Sequence, residues 1–429
     1  MHRRFHIVTL GCKVNQYESQ ALREAWRSAG LEETADPAAA DVLLVNSCAV
    51  TARAIRDLRH RVAKLARENP YAEIVLTGCA AEACRDELGD LAGVSEIVPQ
   101  KQKTDLLARF AKLATEPPRS FRVSGAERAR GNLVVQDGCS HNCAYCIVPR
   151  ARGGPVSRTP QEVEDEARRL LESGVHEIML SGVNLRQYGP DLDPQRDFWD
   201  LLAHLDAALA PEWTGRAQLR LSSLDPSLLS DKGLATLAGC RLVCPHLHVS
   251  LQSGSPRVLS AMRRGHYTPE QIIRFVEKLP EIWPRFGLGV DVIVGFPGED
   301  EADFAATVAI CTNLPLSYAH VFPFSPRAGT IAASMQDDVE PSEKKRRAAA
   351  LRAIAAEKKH AFLEAEALRE SLVVALEAAD PQCGGKGTSE TYLPCLFDEP
   401  MESTLVGRLV SARPLGVRKE SLLVTRVTR

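Results

Sequence analysis

The sequence predicts an α/β protein in three parts: an N-terminal open parallel α/β sheet, a central partial (β/α) barrel and a small C-terminal β-barrel. Three observations carry this expectation. Short apolar runs alternate with amphipathic stretches from Phe5 to Phe322. Small, polar, glycine-rich segments recur where those runs end. Beyond Ser371 the helical pattern gives way to short β-rich runs separated by glycine and proline. A chain of 429 residues, 45% apolar and 25% charged, has ordinary globular composition and room for roughly two to four domains.

The N-terminal part is read from four strand–helix units: Phe5–Leu10 and Asn15–Ser28, Asp41–Asn46 and Thr51–Glu68, Glu73–Thr77 and Ala80–Leu91, Ser95–Val98 and Thr104–Ala114. Cys12, Cys48 and Cys79 each follow one of the first three strands. Parallel strands point the same way, so these cysteines should converge on one sheet edge, where open α/β sheets bind ligands. Residues 116–132 are rich in Pro, Arg and Gly and read as a linker. Its Arg119, Arg122, Arg128 and Arg130 are either solvated or form a phosphate-contacting strip.

The central part offers strands at Leu133–Gln136, Glu177–Leu180, Gln218–Leu221, His246–Leu251, Gly289–Val294 and Tyr318–Phe322. Helices such as Pro160–Ser173 and Pro269–Lys278 separate them, and Thr159 before Pro160 is a helix N-cap. Six units suit an incomplete barrel, whose active site lies at the carboxyl ends of the strands. The exits Ser181-Gly182-Val183-Asn184, Ser222-Ser223, Gln252-Ser253-Gly254 and Gly295-Phe296-Pro297-Gly298 suit contacts with a small polar cofactor. Residues 340–370 form a long charged helix with a basic start, Lys344 to Arg347, read as a solvated face in preference to an RNA contact. The tail has β-rich runs at Leu372–Leu376, Thr391–Phe397, Ser403–Ala412 and Ser421–Val427, and balanced charge.

Chemistry is expected at Cys139, Cys143 and Cys146, spaced C-x3-C-x2-C in QDGCSHNCAYCIVPR after the first barrel strand. Three thiolates are one ligand short of a closed tetrahedral zinc site. A cubane iron–sulfur cluster held by three cysteines keeps one iron open. A zinc knuckle or a metal-free cysteine cluster is the alternative. A net charge of −2 excludes a nucleic-acid binder that works by bulk charge. The apolar run after MHRR is too short for a signal peptide, no stretch is long enough to span a membrane, and clustered cysteines do not resemble a secreted disulfide framework. The expected home is the cytoplasm, with no membrane partner.

The cysteine loop, with Tyr145 before its last cysteine, resembles that of the radical S-adenosylmethionine (SAM) enzymes. TLGCKVNQYE, VNSCAV and TGCAAE resemble the three cysteine boxes of the methylthiotransferases, and LSGVNL, RLSSLDP, HVSLQSGS and DVIVGFPGE resemble further marks of that family. The β-rich tail sits where the family carries its TRAM domain. The resemblance implies domains at 1–118, 133–362 and 363–429, joined by a linker at 119–132. GCKVNQYE is similar to the branch acting on threonylcarbamoyladenosine beside the tRNA anticodon. Asp225 stands where the family usually has Glu, and MRRGHYT (Met262–Thr268) is a loose match.

The resemblance also implies the roles. Cys139, Cys143 and Cys146 would hold one [4Fe-4S] cluster, whose open iron is chelated by SAM. Tyr145, Ser181, Gly182, Asn184, Ser222 and Gln252 would line the SAM pocket. Cys12, Cys48 and Cys79 would hold a second [4Fe-4S] cluster that supplies the sulfur. A deoxyadenosyl radical would take hydrogen from C2 of the adenine, where the methylthio group joins, with the base drawn out of its stack. The implied partners are the tRNA anticodon stem-loop and an electron donor such as flavodoxin or ferredoxin. The rivals are the same chemistry on isopentenyladenosine or a ribosomal-protein aspartate, and a non-catalytic zinc-binding RNA adaptor.

Overall fold

The structure is a computed structural model and describes residues 3–88, 91–110, 121–125 and 129–427. It divides into two compact units. The first holds Met1–Ser124, Gln136–Val156 and Ser325–Ala333; the second holds Gly125–Val135, Ser157–Phe324 and Ser334–Arg429. Arg119 and Arg128 of the linker, and the end of the helix expected at Thr104–Ala114, lie outside the described residues.

In the first unit β1 (Arg4–Thr9), β2 (Glu32–Glu33), β3 (Val42–Ser47), β4 (Glu73–Gly78) and β5 (Glu96–Ile97) form one parallel sheet in the order β2-β1-β3-β4-β5. Every residue of β3 is buried, which is why its Val42–Val45 stretch is apolar without alternation. One face packs on the helix Ala52–Glu68 through Leu43, Val45, Leu58, Val62 and Leu65. The other packs on Lys13–Ser28, where Trp26 meets Phe5 edge-on at 5.3 Å and gives its indole N–H to the Leu106 carbonyl at 2.7 Å. The single helix expected at Ala80–Leu91 is instead two, Cys79–Ala83 and Arg85–Leu88, broken at Cys84.

The second unit contains a partial (β/α) barrel. β6 (Arg130–Asp137), which runs on into the first unit, joins β7 (Val156–Ser157), β8 (Glu177–Gly182) and β9 (Gln218–Leu221) in the order β7-β6-β8-β9. β10 (His246–Gln252), β11 (Gly287–Val294) and β12 (Tyr318–Pro323) form a parallel sheet of three. Bridges at Leu219–Val243 and Leu224–Val249 tie the two sheets together. The helix Pro160–Glu172 begins with a full capping box between Thr159 and Glu162.

The tail closes into a barrel of β13 (Leu372–Asp380), β14 (Gly384–Ser389), β15 (Pro394–Phe397), β16 (Leu409–Arg418) and β17 (Ser421–Arg426), consistent with a TRAM domain. The strand expected at Ser403–Ala412 starts only at Leu409, since Ser403–Leu405 is a 3-10 turn. The glycine-rich stretch read as turns is β14, where side chains at Gly385 and Gly387 would press on β13. The long helix is Pro341–Ala367, and three of the four basic residues at its start are paired: Lys344 with Asp337, and Arg346 and Arg347 with Glu343. Arg130 is likewise paired, with Glu377 at 3.2 Å and Glu177 at 3.6 Å.

Candidate functional site: two sets of three cysteines

The parallel register of the first unit sets Thr9 beside Asn46 and Ser47 beside Gly78, so the chain segments carrying Cys12, Cys48 and Cys79 leave the sheet side by side. Glycine makes this approach possible. Gly11 has φ +112°, and a Cβ there would lie 2.7 Å from Cys48 Cβ. Gly78 has φ +96°, and a Cβ there would strike the backbone of Ser47. Cys12 occupies the N-cap of the helix Lys13–Ser28 and Cys79 opens the helix Cys79–Ala83. Cys12 is exposed; Cys48 and Cys79 are buried.

The second set also belongs to the first unit. Gly138 (φ +73°) lets the chain pass directly over the Gly154 carbonyl. Backbone bonds Cys139 N–Gly153 O (2.9 Å) and Cys146 N–Cys143 O (3.0 Å) fold the loop, and the His141 amide points at Cys139 Sγ at 3.4 Å. Cys139 and Cys143 are buried, whereas Tyr145 and Cys146 are half-buried. The loop runs into the helix Val148–Arg152, whose Ala151 packs in the same apolar cluster as Cys79 and Ala80.

Arg152, which the sequence reading did not single out, joins the loop to the strand-end cysteines. Its guanidinium donates to Cys79 Sγ (3.3 Å), Asp137 (2.8 Å), Asn15 (2.7 Å) and both oxygens of Glu18 (3.1 and 3.2 Å). Glu18 also accepts from Lys103, which reaches Asn46 Oδ1 at 2.8 Å. Asn46 Nδ2 returns a bond to the Asn15 carbonyl at 2.9 Å. Burial raises the Glu18 carboxyl, but Lys103 and Arg152 outweigh it and hold the pKa at about 2. Asn15, Glu18 and Asn46 therefore explain why the boxes read GCKVNQYE and VNSC: these polar residues brace the cysteines from behind. A second buried arginine, Arg327, bonds the Ala49 carbonyl (2.7 Å) and Cys84 Sγ (2.6 Å).

The donor set suits iron. None of the six cysteines is in a disulfide. Burial pushes the Cys48 thiol up to about 11 and the Cys79 thiol upward, with Arg152 pulling both back. Held as thiolates in such surroundings, they would need more positive charge than one guanidinium brings, which cluster iron would supply.

The remaining candidates lie in the second unit at strand exits. Ser181 and Gly182 end β8, and Asn184 caps the short turn after it by accepting from the Arg186 amide at 3.2 Å. Ser222 follows β9; its hydroxyl is buried and has no hydrogen-bond partner among the described residues. A buried hydroxyl left so is expected where a ligand completes the site. Gln252 ends β10 at φ +64°, a left-handed conformation unusual for a side chain with a Cβ, of the kind found at ligand sites. Replacing Ser222 by alanine is expected to weaken SAM binding about threefold to tenfold, the worth of one hydrogen bond, as measured by calorimetry.

Comparison with known proteins agrees with this architecture. Residues 133–311 match the Radical SAM superfamily, and residues 4–99 match the family described as Uncharacterized protein family UPF0004. The radical SAM methyltransferase TsrM from Kitasatospora setae shares the fold, with a TM-score of 0.57 over 75% of each chain at 17% identity. The matched domain is that of the radical SAM enzymes, and the relatives that share it over most of the chain set SAM and [4Fe-4S] chemistry as the cofactor class. The threonylcarbamoyladenosine tRNA methylthiotransferase MtaB of Chlamydia pneumoniae is 35% identical over 78% of both chains. That of Bacillus subtilis is 32% identical over 96% of this chain and 93% of its own. A tRNA-2-methylthio-N(6)-dimethylallyladenosine synthase of Bartonella henselae is 32% identical over 92% and 91%. The chain belongs to the methylthiotransferase family of radical SAM enzymes.

Proposed function

We propose that this chain adds a methylthio group to C2 of N6-threonylcarbamoyladenosine beside the anticodon of tRNA. The observation that carries the choice of substrate is its likeness, at 32–36% identity, to MtaB enzymes named for that nucleoside, one of them matched over 96% of this chain. GCKVNQYE, the box whose Asn15 and Glu18 brace the cysteines, supports the same branch.

Cys139, Cys143 and Cys146 are assigned to the cluster that binds SAM, and Cys12, Cys48 and Cys79 to the second cluster. Bound there, the two clusters and SAM supply the radical, the sulfur and its methyl group. The protein's own part is to hold thiolates with Arg152, to offer Tyr145, Ser181, Gly182, Asn184, Ser222 and Gln252 to SAM, and to exclude water from buried Cys48, Cys79, Cys139 and Cys143. We assign the domains as 1–118, 133–362 and 363–429 with the linker 119–132. We place the enzyme in the cytoplasm with a flavodoxin or ferredoxin as electron donor; no helix among the described residues is long and apolar enough to cross a membrane. Exposed Lys386, Arg408, Arg413, Arg418 and Lys419 of the tail offer phosphate contacts to the anticodon stem-loop.

Mass spectrometry of tRNA nucleosides from a deletion strain tests the substrate. Loss of 2-methylthio-threonylcarbamoyladenosine, restored by the gene, is the expected result. Unchanged levels, with loss of the 2-methylthio-isopentenyl nucleoside instead, would move the enzyme to the other branch.

A further inference from the structure

The partial barrel carries a second constellation, distant in sequence from every cysteine assigned above. Asp291 on β11 lies between two histidines on the flanking strands. Its Oδ2 is 3.0 Å from His248 Nε2 on β10, and its Oδ1 is 3.1 Å from His320 Nδ1 on β12. His248 Nδ1 is 2.9 Å from the Tyr318 hydroxyl, which is itself 3.0 Å from His246 Nε2. Two glycines make room: a Cβ at Gly289 would strike the Tyr318 ring, and one at Gly287 would strike the Thr391 backbone. Tyr392, from the turn between β14 and β15, stacks on His246 at 4.5 Å and closes that end of the chain of rings. The other end is open. The side chain of His320 is 55% exposed, and beside it, with ring centroids 6.3 Å apart, Phe322 is 48% exposed.

His248, Asp291 and His320 bring their ligand atoms within 4.8 Å of one another, a spacing a divalent cation could use. The protons nevertheless close without one. An ionised Asp291 takes N–H from His248 and from His320. The Tyr318 hydroxyl then donates to His248 Nδ1 and accepts from His246 Nε2. Each of these contacts is satisfied, and His320 Nε2 takes no part in them and sits at the exposed end.

We propose that His320, oriented by Asp291, binds the carboxylate of the amino-acid-like substituent on N6 of the substrate adenosine. The inference rests on the threonylcarbamoyladenosine reading and deepens it. In its doubly protonated form His320 gives one N–H to Asp291 and the other to the ligand carboxylate, so the ligand's charge meets a donor already positioned. The exposed Phe322 ring offers the adjoining apolar or base contact. A dimethylallyl group has no polar atom for this nitrogen, so binding it would desolvate His320 without return, and the pair selects against it.

The test uses the full-length, cluster-loaded enzyme and fluorescent anticodon stem-loops bearing threonylcarbamoyladenosine, dimethylallyladenosine or plain adenosine. His320→Ala, His320→Gln and Asp291→Asn are expected to lose about tenfold of the preference for the threonylcarbamoyl stem-loop over the plain one, the worth of one charge-assisted hydrogen bond. Affinity for the plain stem-loop and iron content should not change. Variants that keep the wild-type ratio would overturn the proposal. So would one equivalent of a non-iron divalent metal in the wild type that His320→Ala removes, since the group would then be a metal site. If the wild type makes no 2-methylthio product on threonylcarbamoyladenosine, the substrate reading fails by itself, whatever the variants do.

Discussion

Replacing Cys12 with alanine is expected to abolish methylthiolation while SAM cleavage continues. Iron should fall from about eight to about four per chain after anaerobic reconstitution, because one of two four-iron clusters is lost. The argument is geometric. Cys12, Cys48 and Cys79 leave neighbouring parallel strands and share one sheet edge, whereas Cys139, Cys143 and Cys146 lie in a loop closed by its own backbone bonds. Losing a ligand from one set leaves the other set's ligands complete. Cys143→Ala should show the converse: no SAM cleavage, no product, and the same loss of about four irons. Cleavage is read as deoxyadenosine by chromatography and product as methylthiolated nucleoside. If Cys12→Ala lost all SAM cleavage as well, the separate roles of the two sets would be wrong. A colourless wild-type protein with zinc and no iron or sulfide would instead favour the RNA-adaptor reading.

The strand-end cysteines were legible because a parallel sheet repeats one motif, an apolar run, a loop and a helix, and the cysteines fall at the same place in each repeat. The strand exits were legible for the same reason. Elements without a period were not. β2 and β7 are two residues long and carry no alternation to read. β14 (GGKGTS) looks like a turn because its glycines serve close packing against β13. Arg152 was hidden because no local pattern distinguishes a buried arginine from a solvated one. Its partners lie 15 to 137 residues away in sequence. The two departures from the family pattern have a common cause visible only in space. Asp225 is bonded by Arg264 at 2.9 Å and His266 at 3.0 Å, both from MRRGHYT. Burial raises its carboxyl, and those partners hold it well below the usual range instead. The shorter acid and the altered loop form one hydrogen-bonded unit.

Replacing Arg152 with methionine is expected to cost about 3–5 kcal/mol of stability in the first unit, the usual loss when one partner of a buried ion pair is removed. Methionine fills comparable space, so the loss reports hydrogen bonds and charge more than a cavity. Glu18 would keep Lys103 but lose the fork that binds both its oxygens, and Asn15, Asp137 and Cys79 would each lose a donor. Acid titration gives a second signature. With its pKa held at about 2 against an ordinary value of 4.5, Glu18 contributes stability that is complete above 4.5 and is lost as the pH falls toward 2. Without Arg152 the folded value moves back up, so acid unfolding of Arg152→Met should begin at higher pH, followed by circular dichroism. Arg152→Lys keeps the charge but cannot span the four partners, and should fall between the two. A third consequence concerns the second cluster. A guanidinium N–H at a ligating sulfur stabilises the reduced state, so Arg152→Met should lower the potential of one cluster signal in electron paramagnetic resonance titrations and leave the other in place. Unmoved acid and redox titrations would show that Arg152 only fills space between the loop and the sheet.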